Sequence, residues 1–454
     1  MALNKSLNIR DCVLETILKV MEQGEYSDIA IHNLLDSGVI KDKRDRAFFT
    51  RLSEGTIERT IELDYIINLF SKIKVKKMKP VIRNILRMGV YQIFYMERVP
   101  DSAVCNEAVK LATAHKFNGL KGFVNGVLRN IAANKQNINY PSRDKDFVKY
   151  ASVKYSMPEW IVERYMNSYG KDITENILSE YLLKDNMVTA RCNISKAAAD
   201  YTADLLKVDG ACVKSGNLND ISLRISDYDT LSNLSAFKEG YIQIQDESSM
   251  LPCIIADINK GDIIIDICAA PGGKTIHAAD ILNGSGKVIS CDISKKKTEL
   301  IHENIKRTGF NNIEVFENDA LIFRKEWEKK ADIVIADLPC SGLGVIGKKC
   351  DIKYKTKPDD IEVLAKLQRD ILINAGRYVK PGGRLVYSTC TIAPEENEMN
   401  VEWIKKNMPF KAEDIEERLP KQLLGMTGYM GYIQILPYMA HTDGFFAASF
   451  LKNV

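Results

Sequence analysis

Three short motifs of the chain combine reactive side chains with turn-forming residues. Residues 266–275 read DICAAPGGKT, residues 336–344 read ADLPCSGLG, and residues 388–397 read STCTIAPEEN. Each motif lies at the end of an apolar run that is typical of a buried strand. In an open sheet of parallel strands, ligands bind outside the carboxyl ends of the strands. The three motifs therefore predict a ligand site or an active site at that edge.

The Gly-Lys-Thr of the first motif raises the question of a triphosphate-binding loop. Such a loop needs a glycine, four spacer residues and then Gly-Lys-Thr. Cys268 stands at the position of the first glycine, which excludes this interpretation. Gly272 and Gly273 remain as a turn before a helix, with Asp292 about 20 residues further along. This spacing favours a nucleoside cofactor whose ribose hydroxyls Asp292 binds, although a plain glycine turn also accounts for the pair.

The elements around these motifs predict an α/β domain over residues 241–454. The strand-like runs are DIIIDIC, KVISCDI, IEVFEN, DIVIADL and GRLVYST, followed by YIQIL and GFFAASF. Helix-like segments separate the first five runs, which indicates a parallel sheet covered on both faces. Asp443 and Gly444 supply hairpin turn residues before GFFAASF, so we expect the sheet to end in an antiparallel strand.

The part of the chain before this domain has a different pattern of apolar and polar residues. Residues 1–133 carry apolar residues at helical spacing almost throughout, which predicts a helical bundle. Residues 134–147 are polar with a proline and indicate a linker. Residues 148–240 mix a helical stretch with the strand-like runs DISLRIS and GYIQIQD, which favours a small αβ domain.

Positive charge concentrates in the helical part, in what we call the basic cluster. It consists of Lys72, Lys74, Lys76, Lys77, Lys79, Arg83, Arg87, Lys116, Lys121 and Arg129. Such a cluster suits contacts with the phosphates of a nucleic acid. An ordinary solvated helix face is the alternative, and the net charge of +3 for the whole chain does not decide between them.

Length and composition exclude several classes. The 454 residues exceed one hydrophobic core, so two or three domains are expected. We find no apolar run that could span a bilayer, which predicts a cytoplasmic protein without a membrane partner. The ten cysteines form no Cys-x-x-Cys pair and have no histidine at ligand spacing. A zinc site or a disulfide framework is therefore not expected, and we predict no metal.

The run CAAPGGKT, followed by DLPCSGLG and STCT, resembles the catalytic domain of S-adenosylmethionine-dependent RNA cytosine-5 methyltransferases. The front of the chain resembles a NusB-type RNA-binding domain through DKRDRAFFTRLSEGTIER, CNEAVKLA and FVNGVLRN. In this order, the parts are similar to the RsmB family, also called Sun or Fmu, which methylates small-subunit ribosomal RNA. The resemblance covers nearly the whole chain.

The resemblance implies a fold of class α/β with three domains. Residues 1–133 would form an all-α NusB-like domain, residues 148–240 a small ferredoxin-like αβ domain, and residues 241–454 a Rossmann-like class I methyltransferase sheet. The implied enzyme, of class EC 2.1.1, methylates carbon 5 of a cytosine in 16S ribosomal RNA and acts as a monomer. S-adenosyl-L-methionine would be its cofactor, held by Cys268, Ala269, Ala270, Pro271, Gly272, Gly273, Lys274, Asp292, Asp319 and Asp337.

The family's chemistry implies separate tasks for two cysteines. Carbon 5 of cytosine becomes nucleophilic when a thiolate adds to carbon 6, and the resulting enamine attacks the sulfonium methyl group. The resemblance assigns this addition to Cys390 and the later release of the product to Cys340. Asp337 would hydrogen-bond the base, and Lys274 would assist near the same atoms. A free cysteine is mostly protonated at neutral pH, so the nucleophile needs an activating environment.

One departure from the family and three alternatives stand beside this interpretation. After SGLGVI the family usually continues with two arginines and a proline, whereas this chain has Gly347, Lys348, Lys349 and Cys350, which puts one RNA contact in doubt.

A non-catalytic NusB-like RNA-binding or antitermination factor would leave the second half of the chain without a purpose. A 5-methylcytosine methyltransferase for another RNA, such as tRNA, remains open. An amine methyltransferase would need a motif such as Asn-Pro-Pro-Tyr where this chain has DLPC.

Overall fold

The protein, described here from a computed structural model, forms two compact units. The structure describes residues 8–183, 185 and 187–454. The first unit extends to Leu182 and also contains Ile346–Thr356. The second unit comprises Leu183–Val345 and Lys357–Val454. The chain therefore leaves the second unit after Val345, contributes a short segment to the first, and returns at Lys357.

Helices make up the first unit and alternate with strands in the second. The α-helices are α1 (Ile9–Gln23), α2 (Ser27–Asp36), α3 (Lys43–Glu58), α4 (Thr60–Phe70), α5 (Pro80–Tyr95), α6 (Asp101–Ala114), α7 (Lys121–Ala133), α8 (Phe147–Lys154), α9 (Glu159–Tyr169), α10 (Lys171–Glu180), α11 (Ala199–Val208), α12 (Ser235–Lys238), α13 (Leu251–Ile255), α14 (Gly273–Leu282), α15 (Lys295–Thr308), α16 (Ile352–Lys355), α17 (Pro358–Tyr378) and α18 (Glu398–Asn407). Within the described residues, no helix is both long and apolar enough to cross a membrane.

The strands belong to two separate sheets. They are β1 (Val188–Cys192), β2 (Cys212–Ser215), β3 (Ser222–Ser226), β4 (Ile242–Ile244), β5 (Ile263–Asp266), β6 (Lys287–Asp292), β7 (Ile313–Glu317), β8 (Ala331–Asp337), β9 (Val379–Thr389), β10 (Phe410–Ala412), β11 (Tyr432–Ile435) and β12 (Phe445–Lys452).

The first unit is built on the helical spacing seen in the sequence. Helix α1 buries Val13, Ile17 and Val20 on one face, as expected for apolar residues three and four positions apart. The segment Ile346–Thr356 joins the same core, because Cys350 is buried among the helices' apolar residues. Helices α8, α9 and α10, which come after the predicted linker, also lie in this unit.

The small sheet has the ferredoxin-like arrangement expected from the resemblance. Its strand order is β2-β3-β1-β4, and every pairing is antiparallel. Helices α11 and α12 follow β1 and β3, so the chain order is strand, helix, strand, strand, helix, strand. Ala190, Ile225, Ile242 and Leu206 form its buried core.

The large sheet is Rossmann-like, with strand order β10-β12-β9-β8-β5-β6-β7. Strands β5 to β9 pair in parallel, as predicted, and β12 pairs antiparallel with β9. The predicted antiparallel end of the sheet is confirmed, and one further strand that was not predicted, β10, pairs antiparallel with β12 and forms the edge. Strand β10 has three residues, too few for an alternating pattern to reveal it. Strand β11 also pairs with β12.

Candidate active site

The loop from Cys268 to Gly273 joins β5 to α14 at the carboxyl end of the sheet. Gly272 has φ of 102°, a left-handed conformation that favours glycine, and it precedes the first residue of α14. Ala269 N–H donates to the carbonyl of Cys291 at 2.9 Å, which ties the loop to the end of β6. The sequence therefore folds here as the predicted strand, glycine turn and helix start.

A cavity of about 180 Å³, which we call the loop cavity, opens beside this loop. It is lined by Ile244, Gln245, Asp246, Ser249, Asp266, Cys268, Ala269, Ala270, Pro271, Gly273, Lys274 and Asp337. Most predicted cofactor residues are in this set. Gln245, Asp246 and Ser249 were not predicted from the sequence, although they follow β4 directly, and polar residues after a strand are a signal for a site.

Asp266 is the most deeply buried acid of the loop cavity. Its Oδ2 accepts a hydrogen bond from Thr275 Oγ1 at 2.7 Å, while Oδ1 has no hydrogen-bond partner among the described residues. Burial raises the pKa of Asp266 to about 7, against the opposing effect of the Thr275 hydrogen bond. A buried acceptor without a partner fits a ligand that brings a cationic or N–H donor into this cavity.

Asp337, at the end of β8, connects the loop cavity to the strand that carries Cys390. Its Oδ2 accepts a hydrogen bond from Lys274 Nζ at 2.6 Å, and its Oδ1 accepts one from Ser388 Oγ at 2.7 Å. Burial by itself lowers the pKa of Lys274, but the attraction of Asp337 outweighs it and the pKa is raised. Lys274 is therefore a charged ammonium group fixed against a carboxylate.

Cys340 and Cys390 lie together, with 3.3 Å between their sulfur atoms. The hydrogen bond with Cys390 and then burial raise the pKa of Cys340 well above its ordinary value. Either sulfur can be the donor of this pair. The thiols lie just beyond the ends of β8 and β9, and they meet because these strands pair in parallel up to Asp337 and Ser388.

Close backbone contacts hold the loops around these thiols. Gly344 N–H donates to the carbonyl of Cys390 at 3.1 Å, and Gly444 N–H donates to the carbonyl of Gly344 at 2.9 Å. A Cβ atom at Gly344 would collide with the backbone of Gly444. The motif SGLG thus needs glycine at this position for a steric reason that its sequence alone does not reveal.

Asp292 lies beneath the loop rather than in the lining of the loop cavity. Its Oδ2 accepts a hydrogen bond from Ala270 N–H at 2.9 Å, and its Oδ1 accepts one from Ile293 N–H at 2.8 Å. Lys297 Nζ is 3.0 Å from the same Oδ1. Asp292 is therefore nearly buried and fixes the loop in place.

Asp319 lines a second cavity, of about 400 Å³, together with Ile293, Asn318 and Phe323. Ile293 directly follows Asp292, the last residue of β6, so this second cavity lies beside the end of that strand. The predicted residues thus fall into three groups: the loop with Lys274 and Asp337, the thiol pair, and Asp319 apart from both. His441, just before the turn at Asp443 and Gly444, is exposed.

The departure from the family pattern falls in the first unit. Lys348 and Lys349 are exposed, whereas Cys350 is buried and its thiol points to the carbonyl of Glu54 at 3.9 Å. In the same segment, Ser27 Oγ donates to Asp351 at 2.6 Å. Cys350 and Asp351 therefore have structural roles in this helical unit.

Most of the basic cluster is on the surface of the first unit. Its exposed members are Lys72, Lys74, Lys76, Lys77, Lys79, Lys116, Lys121 and Arg129. Two members need a correction. Arg87 is buried and donates two hydrogen bonds of 2.7 Å to Asp64, and Arg83 Nε donates to Glu22 at 2.9 Å. Internal carboxylates thus neutralise both arginines.

The sheet order, the glycine loop and the polar strand ends define the class of this protein as a Rossmann-like methyltransferase. A model of the 16S rRNA methyltransferase RsmB/F family matches residues 253–451, and a model of the NusB family matches residues 7–133. The chain is 36% identical to a protein of Bacillus subtilis (strain 168) described as a probable ribosomal RNA small subunit methyltransferase B, over 99% of this chain and 100% of that protein. The chain therefore belongs to the ribosomal RNA small subunit methyltransferase B family and is an RNA methyltransferase.

Solved structures with the same fold agree with this assignment. The crystal structure of PH0851 has a TM-score of 0.81 and 26% identity, covering 98% of this chain and 99% of that one. The crystal structure of NSun6 from Pyrococcus horikoshii with SFG has a TM-score of 0.57 and 25% identity, covering 65% of this chain and 98% of that one.

Proposed function

We propose that this protein methylates carbon 5 of a cytosine in 16S ribosomal RNA, using a transient covalent bond between Cys390 and carbon 6 of the base. The observation that carries the proposal is the thiol pair, with 3.3 Å between the sulfur atoms of Cys340 and Cys390. A methyltransferase that acts on nitrogen or oxygen has no use for two thiols at this position. Methylation of carbon 5 needs a nucleophile that adds to carbon 6, and then a base that takes the carbon 5 proton as the sulfur–carbon bond breaks.

The family resemblance supports Cys390 as the nucleophile. Both thiols are half-buried, and either sulfur can donate to the other. An S–H group at 3.3 Å can therefore stabilise its neighbour when that neighbour is a thiolate. We assign the thiolate to Cys390 and the release of the product to Cys340, as the resemblance implies.

We assign Asp337 and Lys274 to contacts with the base itself. We infer that the Asp337 carboxylate accepts a hydrogen bond from the cytosine ring as the thiolate adds, since protonated nitrogen is a strong donor to a carboxylate. Lys274 and Ser388 fix both oxygens of Asp337, at 2.6 and 2.7 Å, and so orient it. A carboxylate held on both sides loses little entropy when the base arrives.

The cofactor that we propose is S-adenosyl-L-methionine, bound along the loop from Cys268 to Lys274. When bound, it supplies the methyl group that carbon 5 receives. Among the described residues, Oδ1 of Asp266 has no hydrogen-bond partner and fits the ammonium group of such a ligand. Asp292 is assigned to the ribose from its spacing after the glycines, and its contacts with Ala270 and Ile293 hold the loop against which the ligand would lie. Asp319, in the second cavity, would contact the cofactor only if the ligand extends past Ile293.

The first unit fits the recognition of RNA. We infer that the NusB-like part, residues 1–133, binds the substrate through the exposed lysines of the basic cluster. The relatives' names refer to ribosomal RNA of the small subunit, which makes 16S RNA the proposed substrate ahead of tRNA.

The proposal is tested by incubating cysteine variants with S-adenosyl-L-methionine and 16S RNA, followed by a denaturing gel. Cys390→Ala cannot form the adduct and is expected to be inactive while still binding RNA and cofactor. Cys340→Ala is expected to methylate once and then remain attached to RNA, giving a retarded band. Cys212→Ala, at an exposed cysteine of the small sheet, is the matched control and should behave as the wild type.

Three other results would overturn parts of the proposal. A retarded band from Cys390→Ala instead would exchange the roles of the two thiols. Full activity of both variants would end the covalent mechanism. Mapping of 5-methylcytosine in ribosomal RNA from cells with and without the protein identifies the substrate. A protein-dependent site found in tRNA alone would contradict 16S RNA as the substrate.

A further inference from the structure

Glu396 is a fully buried acid that has no place in the chemistry described so far. Its Oε2 accepts hydrogen bonds from Ser341 N–H at 3.0 Å and from Gln368 Nε2 at 2.9 Å. Its Oε1 accepts a hydrogen bond from Ser341 Oγ at 2.5 Å. A buried carboxylate that receives several hydrogen bonds is costly to disturb, because each donor would be left without a partner.

The partners of Glu396 are the immediate neighbours of the two thiols. Ser341 follows Cys340 in the chain, and Ser341 Oγ lies 2.8 Å from the hydroxyl of Thr391, which follows Cys390. Gln368 Nε2 also donates to the carbonyl of Pro339 at 2.9 Å, on the other side of Cys340. One carboxylate thus connects the residues on both sides of Cys340 to the residue after Cys390.

Gln368 is itself held by a second set of buried groups. Its Oε1 accepts hydrogen bonds from Asn400 Nδ2 at 2.9 Å and from the Tyr387 hydroxyl at 3.1 Å. All three side chains are buried. Because Gln368 cannot rotate without breaking these bonds, the donor it presents to Glu396 is fixed.

The two thiols depend on this network to different degrees. Cys390 directly follows Thr389, which is paired with Phe446 of β12, so the sheet itself holds the nucleophile's end of β9. Cys340 lies beyond Asp337, the last paired residue of β8, in a loop. The position of Cys340 therefore depends on hydrogen bonds of its loop. Leu338 N–H donates to the carbonyl of Ser388 and Gly344 N–H to that of Cys390, while Glu396 holds Ser341, the residue next to Cys340, by two hydrogen bonds.

We propose that Glu396 is a positioning residue for product release: it fixes the loop that carries Cys340 so that this thiol stays beside Cys390. The proposal rests on the covalent function proposed above. Glu396 positions Cys340 for product release, in which the carbon 5 proton is lost and the bond between Cys390 and carbon 6 breaks. The sheet positions Cys390 for addition to carbon 6.

The test compares one methyl transfer with repeated turnover in Glu396→Gln. This change keeps the size of the side chain but replaces one acceptor oxygen with an NH2 group. We expect the single-turnover rate to stay within about threefold of the wild type while kcat falls about tenfold or more, with a retarded RNA-bound band on a denaturing gel. The KM for RNA and the affinity for S-adenosyl-L-methionine should not change.

Two further variants complete the experiment. Ser341→Ala removes one hydroxyl and keeps the backbone hydrogen bond to Glu396. Its kcat should therefore also fall more than its single-turnover rate, but by a smaller factor. If Glu396→Gln does not fold, this variant tests the positioning role instead. Glu402→Gln, at an exposed acid of α18, is the control and should match the wild type. Thermal unfolding of each variant verifies that the comparison is made on folded protein.

The outcomes separate this proposal from the function on which it rests. A Glu396→Gln protein whose single-turnover rate and kcat fall equally, without a retarded band, would overturn the positioning role, as would wild-type kinetics. If Cys340→Ala gives the retarded band in the same gel, the covalent function stands regardless. Absence of the band from Cys340→Ala would overturn the covalent function and this proposal with it.

Discussion

The surface of the helical unit and the strand ends of the large sheet use charge in opposite ways. In the helical unit, the lysines from Lys72 to Lys79 are exposed and keep their hydration. At the sheet edge, Asp266 and Glu396 are fully buried and depend on specific hydrogen bonds. Exposed charges attract a polyanion whatever its sequence, whereas a buried acid can accept a hydrogen bond from one particular group. We therefore propose that the first region contributes RNA affinity and the second contributes chemistry.

The largest effect is expected from Asp337→Asn at the sheet edge. The variant keeps its shape but loses the carboxylate that we propose accepts a hydrogen bond from the base, so kcat should fall about 10² to 10⁴-fold. Methylation of 16S RNA with radiolabelled cofactor measures this. Asp332→Asn, at the other end of β8, is the control, and a similar loss in that variant would contradict a role for Asp337 in chemistry.

Asp292→Ala should give the next largest effect, on cofactor binding. The carboxylate fixes the loop through Ala270 and is proposed to bind the ribose, where charge-assisted hydrogen bonds contribute about 1.5–3 kcal/mol each. We expect affinity for S-adenosyl-L-methionine to fall about 100-fold by calorimetry. Calorimetry on Asp319→Ala tests whether the second cavity also contributes to binding of S-adenosyl-L-methionine. Equal losses in both would mean that the cofactor uses both cavities, and unchanged binding in Asp292→Ala would remove Asp292 from the site.

Burial of Asp266 should appear as a pH dependence of stability. Its pKa is raised from 3.8 to about 7 in the folded protein, so the folded state holds a proton that the unfolded state releases between these values. The free energy of unfolding should therefore decrease as pH rises through this window, and Asp266→Asn should lack this part of the decrease. Denaturant unfolding between pH 5 and pH 8 should show a difference of about 2 kcal/mol between the two proteins. Parallel pH curves would contradict the raised pKa.

The smallest effect is expected from the exposed lysines of the helical unit. Replacing Lys72, Lys74, Lys76, Lys77 and Lys79 with alanine should weaken RNA binding about tenfold near physiological salt and flatten its salt dependence. Binding isotherms at several salt concentrations measure the slope. Lys41→Ala with Lys43→Ala, at exposed lysines elsewhere in the unit, is the control. An unchanged salt dependence would mean that the basic cluster is only a solvated surface. It would then contradict the proposed role of this region in RNA affinity.

The sequence predicted the architecture of the large sheet well because its strands are strongly apolar. DIIIDIC and DIVIADL are too apolar to be anything but buried, and the helical segments between them require parallel pairing. Strand β10 was missed because three residues are too few to show the alternating pattern of a strand. The helices α8 to α10 belong to the compact first unit, which local pattern does not reveal, since unit membership depends on contacts between distant parts of the chain.

The candidate site was predictable to the extent that its residues end strands. Lys274, Asp337, Cys340 and Cys390 were named because their motifs are short and specific, and the structure brings the thiols together and Lys274 onto Asp337. Glu396 was missed even though it lies in the quoted motif STCTIAPEEN. A glutamate is usually exposed, and only the contacts with Ser341 and Gln368 show that this one is buried.

The sequence by itself determined the class of fold, the family and the residue types at the strand ends, because hydrophobic period and short motifs are local properties of the chain. The tertiary structure decided which charges are available. Arg87 and the lysines of the basic cluster look alike in sequence, yet Arg87 is neutralised by Asp64 and the lysines are exposed. The tertiary structure likewise decided that Cys340 lies beside Cys390, because distances between residues far apart in the chain depend on strand pairing and on buried hydrogen bonds.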